Sequence, residues 1–240
     1  MIDLHTHILP GVDDGTRSLE EARTVALEAA GEGVSVLAAT PHVRDDYRTT
    51  AEMMENGVAE LRADFVEQGI PVDVLHGGEI DLGLLWALPP EELRRLTLAQ
   101  TGRYLLLEMP YRGWPLALDS AVSRLVGLGI TPLLAHPERN PEVQDQPERL
   151  RQLVEAGALV QVTTGSLNGD FDRASQAAGV QLLELGLVHV LASDTHGPHI
   201  RREGMRTAAE SLADPQLARF LTVEAPSAIV AGQPVPDRSS

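Results

Sequence analysis

His5 and His7 stand two residues apart at the end of the short apolar run that opens the chain, Met1-Ile2-Asp3-Leu4. Residues i and i+2 of an extended chain share a face, so two imidazoles placed this way can grip one metal ion. Asp13, Asp14 and Gly15 follow in a turn-rich loop, from which a carboxylate can swing back toward the pair. Residues of the same ligating types recur at the ends of later apolar runs: His42, Glu79, Glu108, His136, Asp194 and His196. Any one of them is an ordinary polar residue at a strand end. Eight of them in equivalent positions are hard to explain as surface decoration. A mixed His/Asp/Glu set without thiolates suits Zn, Mn or Fe, and so many carboxylates argue for more than one ion.

The elements that must position these residues alternate. Apolar runs at 1–4, 34–39, 72–75, 104–107, 131–135, 159–162 and 188–192 read as buried strands. Helical spacing falls between them at 18–33, 49–68, 89–96, 115–128, 147–156 and 174–185, with a closing helix at 201–212. Ser18 and Glu21 have capping-box spacing ahead of the first helix. Uninterrupted apolar strands separated by amphipathic helices mean a parallel sheet covered by helices. Seven or eight such units in 240 residues predict a closed α/β barrel, with an open doubly wound sheet as the alternative. In a barrel, all eight residues would lie at the C-terminal rim, where active sites form. The Pro-rich tail from Ala225 is expected to wrap the surface. His76 and His189 lie within apolar runs and read as core residues.

Composition narrows the function. The chain is 43% hydrophobic but 3% aromatic, so its core must be aliphatic. Its formal charge is −16, with 35 acidic residues against 19 arginines and no lysine, a balance that repels nucleic acid and anionic membrane. With no cysteine there is no disulfide, no thiolate zinc site and no thiol nucleophile, which excludes thiol-based phosphatase chemistry. No GxGxxG follows a strand and no GxxxxGK[ST] is present, so nucleotide cradles are not indicated. No basic, signal-like N-terminal stretch or run of 18 apolar residues is present, and a soluble, cytoplasmic protein is expected.

The motifs His5-Thr-His-Ile-Leu-Pro-Gly-Val-Asp-Asp-Gly, Thr40-Pro-His, Leu107-Glu-Met-Pro-Tyr, Ala135-His-Pro-Glu-Arg and Ser193-Asp-Thr-His resemble the PHP (polymerase and histidinol phosphatase) superfamily. Within it they resemble the metal-dependent protein-tyrosine phosphatases of CpsB/CapC type, which act in bacterial capsule and exopolysaccharide systems. The likeness runs over essentially the whole chain. It implies a single PHP-type domain over 1–240, built as a distorted (β/α)7 TIM-like barrel.

The resemblance further implies three divalent metal ions, Mn, Fe or Zn. His5, His7, Glu79 and Asp194 would hold one. Glu79, shared, would hold a second with Glu108 and His136. Asp14, His42 and His196 would hold the third. Arg139 and Arg201 match positions that contact the substrate phosphate, and with Asp14 and His42 they form the implied catalytic set. Arg201 lies in a segment, Gly197-Pro-His-Ile-Arg-Arg, that departs from the pattern by its adjacent arginines and its extra His199. Four carboxylates against three divalent cations leave the site at +2, suited to a phosphomonoester dianion. Ions about 3.5–4 Å apart would bridge a water, lower its pKa and generate a hydroxide that attacks phosphorus in line. The expected substrate is phosphotyrosine in protein, the tail of a bacterial tyrosine kinase of polysaccharide export. The alternatives are a small-molecule phosphatase, such as one acting on histidinol phosphate, and a non-catalytic metal-binding module that docks a partner. Asp3 is a possible partner of a ligating imidazole, and Asp13 an orienting or capping residue of its loop. Tyr111, Arg112 and Trp114 are candidates for a rim that meets a phosphotyrosine ring.

Overall fold

The computed structural model describes residues 1–198 and 204–237. Strands and covering helices alternate over most of the chain as the apolar periodicity predicts. Strands at 36–39, 42–44 and 47–48, and at 73–76 and 79–81, instead follow one another without a helix, and the pair 42–44 with 47–48 is antiparallel. The first half runs β1 (Ile2–Thr6), α1 (Leu19–Gly31), β2 (Val36–Ala39), β3 (His42–Arg44), β4 (Tyr47–Arg48), α2 (Ala51–Gln68), β5 (Asp73–His76), β6 (Glu79–Asp81), α3 (Pro90–Arg95) and β7 (Tyr104–Glu108). The second half runs α4 (Leu118–Gly127), β8 (Thr131–Ala135), α5 (Pro141–Asp145), α6 (Leu150–Glu155), β9 (Leu159–Thr163), α7 (Thr164–Asn168), α8 (Arg173–Glu184), β10 (Val190–Ala192), α9 (Met205–Ser211), α10 (Pro215–Arg219) and α11 (Ala225–Val230).

Two breaks in the strands set the site. Thr40-Pro41 separates β2 from β3, because proline removes a ladder donor and bends the chain. Gly77-Gly78 separates β5 from β6, and a Cβ at Gly77 would lie 2.9 Å from Thr40 Cγ2, so the two breaks nest against each other. The result is two sheets. β1, β2 and β5 form one, in that order; β10, β9, β8, β7, β6, β3 and β4 form the other. β3 pairs with β6 in parallel, with His42 opposite Glu79. β1 meets the far end of the larger sheet through an isolated parallel bridge, Thr6 to Thr195. There His7 N–H donates to Thr195 O at 2.9 Å and Asp194 N–H to His5 O at 2.8 Å. Among the described residues, a continuous, closed seven-stranded ladder is not seen.

Ser18 caps α1 by accepting from Glu21 N–H at 3.2 Å. The Glu21 carboxylate reaches back to Arg17 N–H, one residue before the reciprocal position of a standard box. The core is aliphatic, as the composition requires, with Leu37, Leu61, Ile80, Leu105, Leu134 and Val160 fully buried. The tail departs from expectation. From Ala225 it forms α11 after a π-type turn at Phe220–Glu224, and Ala225, Pro226 and Ile229 are buried. Proline is tolerated in the first turn of a helix, so a Pro-containing segment does not exclude one. His76 and His189 are half-buried rather than core residues, and His189 Nδ1 accepts from Val160 N–H at 3.2 Å.

Candidate metal centre

The strand ends deliver their side chains to one place. His5 comes from β1, His42 from β3, Glu79 from β6 and Glu108 from β7; all are buried. His136, directly after β8, adopts a left-handed φ of 34°, and Asp194, after β10, one of 54°. Both are costly for side chains other than glycine. Among the described residues only Ala99 and Gln100 are other non-glycine positions with positive φ, so half of this strain falls on candidate ligands.

Glu79 is the hub. Its Oε1 lies 2.9 Å from His136 Nε2 and 3.4 Å from His5 Nε2. Its Oε2 lies 2.8 Å from His42 Nδ1 and 3.4 Å from His7 Nε2. Asp194 Oδ1 stands 3.2 Å from both His5 Nε2 and His7 Nε2. Asp14 Oδ1, on the more open side, is 3.5 Å from His42 Nε2 and 3.6 Å from His196 Nε2. Four convergent groupings could each hold an ion: His5, His7 and Asp194; His5, Glu79 and His136; His42, Glu79 and Glu108; and His7, Asp14, His42 and His196. All nine residues expected as ligands are therefore brought together. The groupings differ from the expected partition in three ways: Glu79 is absent from the His5, His7 and Asp194 set and stands with His5 and His136 instead, Glu108 groups with His42 rather than with His136, and His7 joins Asp14, His42 and His196.

A set of outer residues aims the rings. Gln161 Oε1 accepts from His5 Nδ1 at 3.1 Å and from His136 N–H at 3.2 Å. Asp13 Oδ2 takes His7 Nδ1 at 2.7 Å and the His42 N–H at 2.9 Å. In both rings the outer nitrogen is occupied and Nε2 is left toward the centre, the arrangement that orients metal-ligating histidines. Asp13 thus acts on a ring as well as on its loop, where it also accepts from Gly15 N–H. Asp3 ties the strand end to the segment after β10: Oδ1 accepts from His5 N–H and Ser193 N–H, and Oδ2 accepts from the Ser193 hydroxyl. Gln161 went unnoticed in the sequence because a glutamine inside an apolar strand carries no motif.

The electrostatics are those of a site built for cations. Burial by itself would raise the Glu79 carboxyl, but the charge of His5 and the contacts with His136, His42 and His5 outweigh it and hold Glu79 well below the usual range. Burial and the Glu79 charge push Glu108 up to about 9. Burial would lower His5 and His7, yet Glu79 and Asp194 raise His5, and Asp13, Asp194 and Glu79 raise His7 further. Burial and Arg139 push His136 down to about 4. Burial would raise Asp13, but the His7 hydrogen bond and charge bring it to about 2. Glu108 Oε1 is buried without a hydrogen-bond donor, its contact to Arg44 Nη1 being 3.7 Å. An orphaned carboxylate oxygen and an all-N/O donor set fit hard or borderline divalent ions.

Arg139 lies at the edge of this cluster, on the 3-10 turn Pro137–Arg139. Its Nη1 pairs with Asp194 Oδ2 at 2.7 Å, and its Nε and Nη2 are buried without partners. Phe171, which the sequence did not mark, lies beneath the guanidinium at 4.4 Å. Glu138, also unmarked and fully buried, pins the turn by accepting from Thr163 N–H at 3.0 Å and Ser166 Oγ–H at 2.7 Å. Tyr111 stacks on His136, with ring centroids 5.7 Å apart and planes 13° from parallel. Trp114 does not join that rim; it packs on the core and lies under Arg149 at 4.1 Å. Arg112 is exposed. Arg201, Arg202 and His199 lie outside the described residues.

With that geometry in hand, known proteins give a consistent answer. Tyrosine-protein phosphatase YwqE of Bacillus subtilis is 34% identical over 204 residues, covering 84% of this chain and 79% of its own. Tyrosine-protein phosphatase CpsB of Streptococcus pneumoniae is 29% identical, covering 97% of this chain and 99% of its own. A solved structure from the study of these two "unique metal-dependent tyrosine phosphatases" superposes with a TM-score of 0.88 at 31% identity, over 98% of this chain and 96% of that one. The family model described as "Capsular polysaccharide synthesis, CpsB/CapC" matches residues 1–230, and the chain belongs to the CpsB/CapC family.

Proposed function

We infer that this chain is a metal-dependent phosphatase that hydrolyses phosphotyrosine in protein. The observation that carries the reading is the juxtaposition of nine ligating side chains with one arginine that has two unpartnered donors. His5, His7, Asp14, His42, Glu79, Glu108, His136, Asp194 and His196 would hold up to three divalent ions, Mn, Fe or Zn. When bound, such ions supply Lewis acidity at the phosphoryl oxygens and lower the pKa of a water nucleophile. The protein's own part is positioning. Asp194 anchors Arg139 through Nη1, which leaves Nε and Nη2 to donate to two phosphoryl oxygens as a fork. Gln161 and Asp13 hold His5 and His7 so that neither ring needs to reorganise during turnover. The tyrosine phenolate, with a pKa of about 10, leaves with little assistance.

The remaining expectations belong to the same reading. Residues 1–240 act as one domain. The two sheets, bridged at Thr6 and Thr195, complete a distorted (β/α)7 barrel, supported by the backbone bonds between His7 and Thr195 and between Asp194 and His5. The substrate is the phosphorylated tail of a tyrosine kinase of capsule or exopolysaccharide assembly, and the enzyme works in the cytoplasm. No described helix is long and apolar enough to cross a membrane. The test is steady-state kcat/KM for a phosphotyrosine peptide against histidinol phosphate. A clear preference for the peptide is expected; the reverse preference would assign the site to small-molecule phosphate esters.

A further inference from the structure

The segment after β7, Pro110-Tyr-Arg-Gly-Trp, leaves one large aromatic ring half in and half out of the site. Tyr111 covers His136 with one face in a near-parallel, offset stack, yet 43% of the residue is exposed. An exposed aromatic beside a buried metal centre is unusual in this chain, which holds only eight Phe, Trp and Tyr residues in all. The other aromatics near the site are engaged. Phe171 carries the Arg139 guanidinium on its ring and rests on Gly165, where a Cβ would come within 2.9 Å of it. Tyr47 stacks on His42 at 5.9 Å and carries Arg44 at 5.2 Å. Trp114 is held by Arg149. Tyr111 is left with a ring face to offer.

Arg139 follows His136 by three residues on one short turn, so the ring stacked on His136 lies near the arginine that carries the two unpartnered donors. A phosphoryl group held by Nε and Nη2 of Arg139 would set its ester substituent beside Tyr111. An aryl substituent gains an offset stack there; an alkyl substituent such as that of phosphoserine has no ring to stack. We propose that Tyr111 is the residue that determines selectivity for aryl over alkyl phosphomonoesters, by stacking its exposed face on the substrate ring. The proposal rests on the phosphatase reading above, and it separates two aromatic roles. Tyr111 recognises the ester substituent, whereas Phe171 acts through Arg139 on the phosphoryl group common to all substrates.

Leaving-group reactivity favours aryl esters in any phosphatase, so the test uses binding of inert analogues. Dissociation constants of phenylphosphonate and methylphosphonate are measured by calorimetry on the metal-loaded protein. In the same preparations, hydrolysis of a phosphotyrosine peptide is followed. Wild type should prefer phenylphosphonate, and Tyr111→Leu should reduce that preference roughly three- to tenfold, the scale of one aromatic pair. Tyr111→Phe, which keeps the ring, should retain it. Phe171→Leu should weaken both phosphonates alike. An unchanged preference in Tyr111→Leu, equal binding of both phosphonates by wild type, or binding of neither by a preparation that hydrolyses the peptide would each overturn the proposal and leave the phosphatase reading standing. Absence of peptide hydrolysis alongside selective phenylphosphonate binding would sink the phosphatase reading alone.

Discussion

At the scale of single residues, the site assigns distinct jobs to groups of the same type. Glu79 belongs to two of the ligating groupings and His196 to one. Glu79→Ala should therefore lose more metal per chain than His196→Ala, as read by elemental analysis; equal losses would remove the bridging role. Arg139 is a cation and cannot ligate, so Arg139→Ala should keep its metal, as read by elemental analysis. Loss of a preorganised donor should cost about 10²–10³-fold in kcat/KM. Arg139→Lys should recover only part, because a point charge cannot make the two-pronged contact; wild-type rates in Arg139→Ala would show that ions alone hold the phosphate. Glu108 gives a pH signature. Its carboxyl, held up to about 9 by burial and the Glu79 charge, keeps its proton in the folded metal-free chain where the unfolded chain has lost it. The folded state then binds more protons between about 4.5 and 9, so this group makes stability fall as pH rises through that window. In chelated protein, Glu108→Gln should be increasingly more stable than wild type as pH rises. Melting curves that stay parallel with pH would contradict the shift.

At the scale of elements, the loop after β1 is held by close approach of backbone to backbone. A Cβ at Gly15 would lie 2.0 Å from His7 O and 2.5 Å from His7 Cβ, which no rotamer can relieve. Gly15→Ala should push the loop off the strand and displace Asp13 from His7. A cost of about 1–3 kcal/mol is typical of such overpacking, together with reduced metal content. A thermal melt and elemental analysis read both, and a silent substitution would mean the loop is free to move. This loop was legible in the sequence as Asp-Asp-Gly after His-x-His, since ligand spacing and a turn glycine are local features. The same holds for the strand-end residues, whose positions follow from where each apolar run stops. Gln161, Glu138 and Phe171 were not legible. Gln161 meets His5 across 156 residues of sequence, Glu138 meets Ser166 across 28, and Phe171 reaches Arg139 only because β9 and α7 bring them together. The helix at Ala225–Val230 is hidden in a tail whose prolines read as loop, although the single proline within it, Pro226, sits in a permitted first turn.

At the scale of the whole molecule, the parallel order of strands was readable from continuous apolar runs, whereas the split into two sheets depends on Thr40-Pro41 and Gly77-Gly78 acting as a pair. The acidic charge of −16 is partly concentrated where Asp14, Glu79, Glu108 and Asp194 converge. Ions bound only to the folded state stabilise it by mass action. Chelation should lower the melting temperature and added divalent metal should restore it; coincident melts, with metal removal confirmed, would count against a built site. The central claim is that hydrolysis of phosphotyrosine needs ions held by this cluster. The most direct measurement is kcat/KM on a phosphotyrosine peptide as a function of metal content, through chelation and reloading with Mn, Fe or Zn. Activity should fall to background in metal-free protein and return with at least one of these ions. Undiminished hydrolysis by protein shown to be metal-free would contradict it.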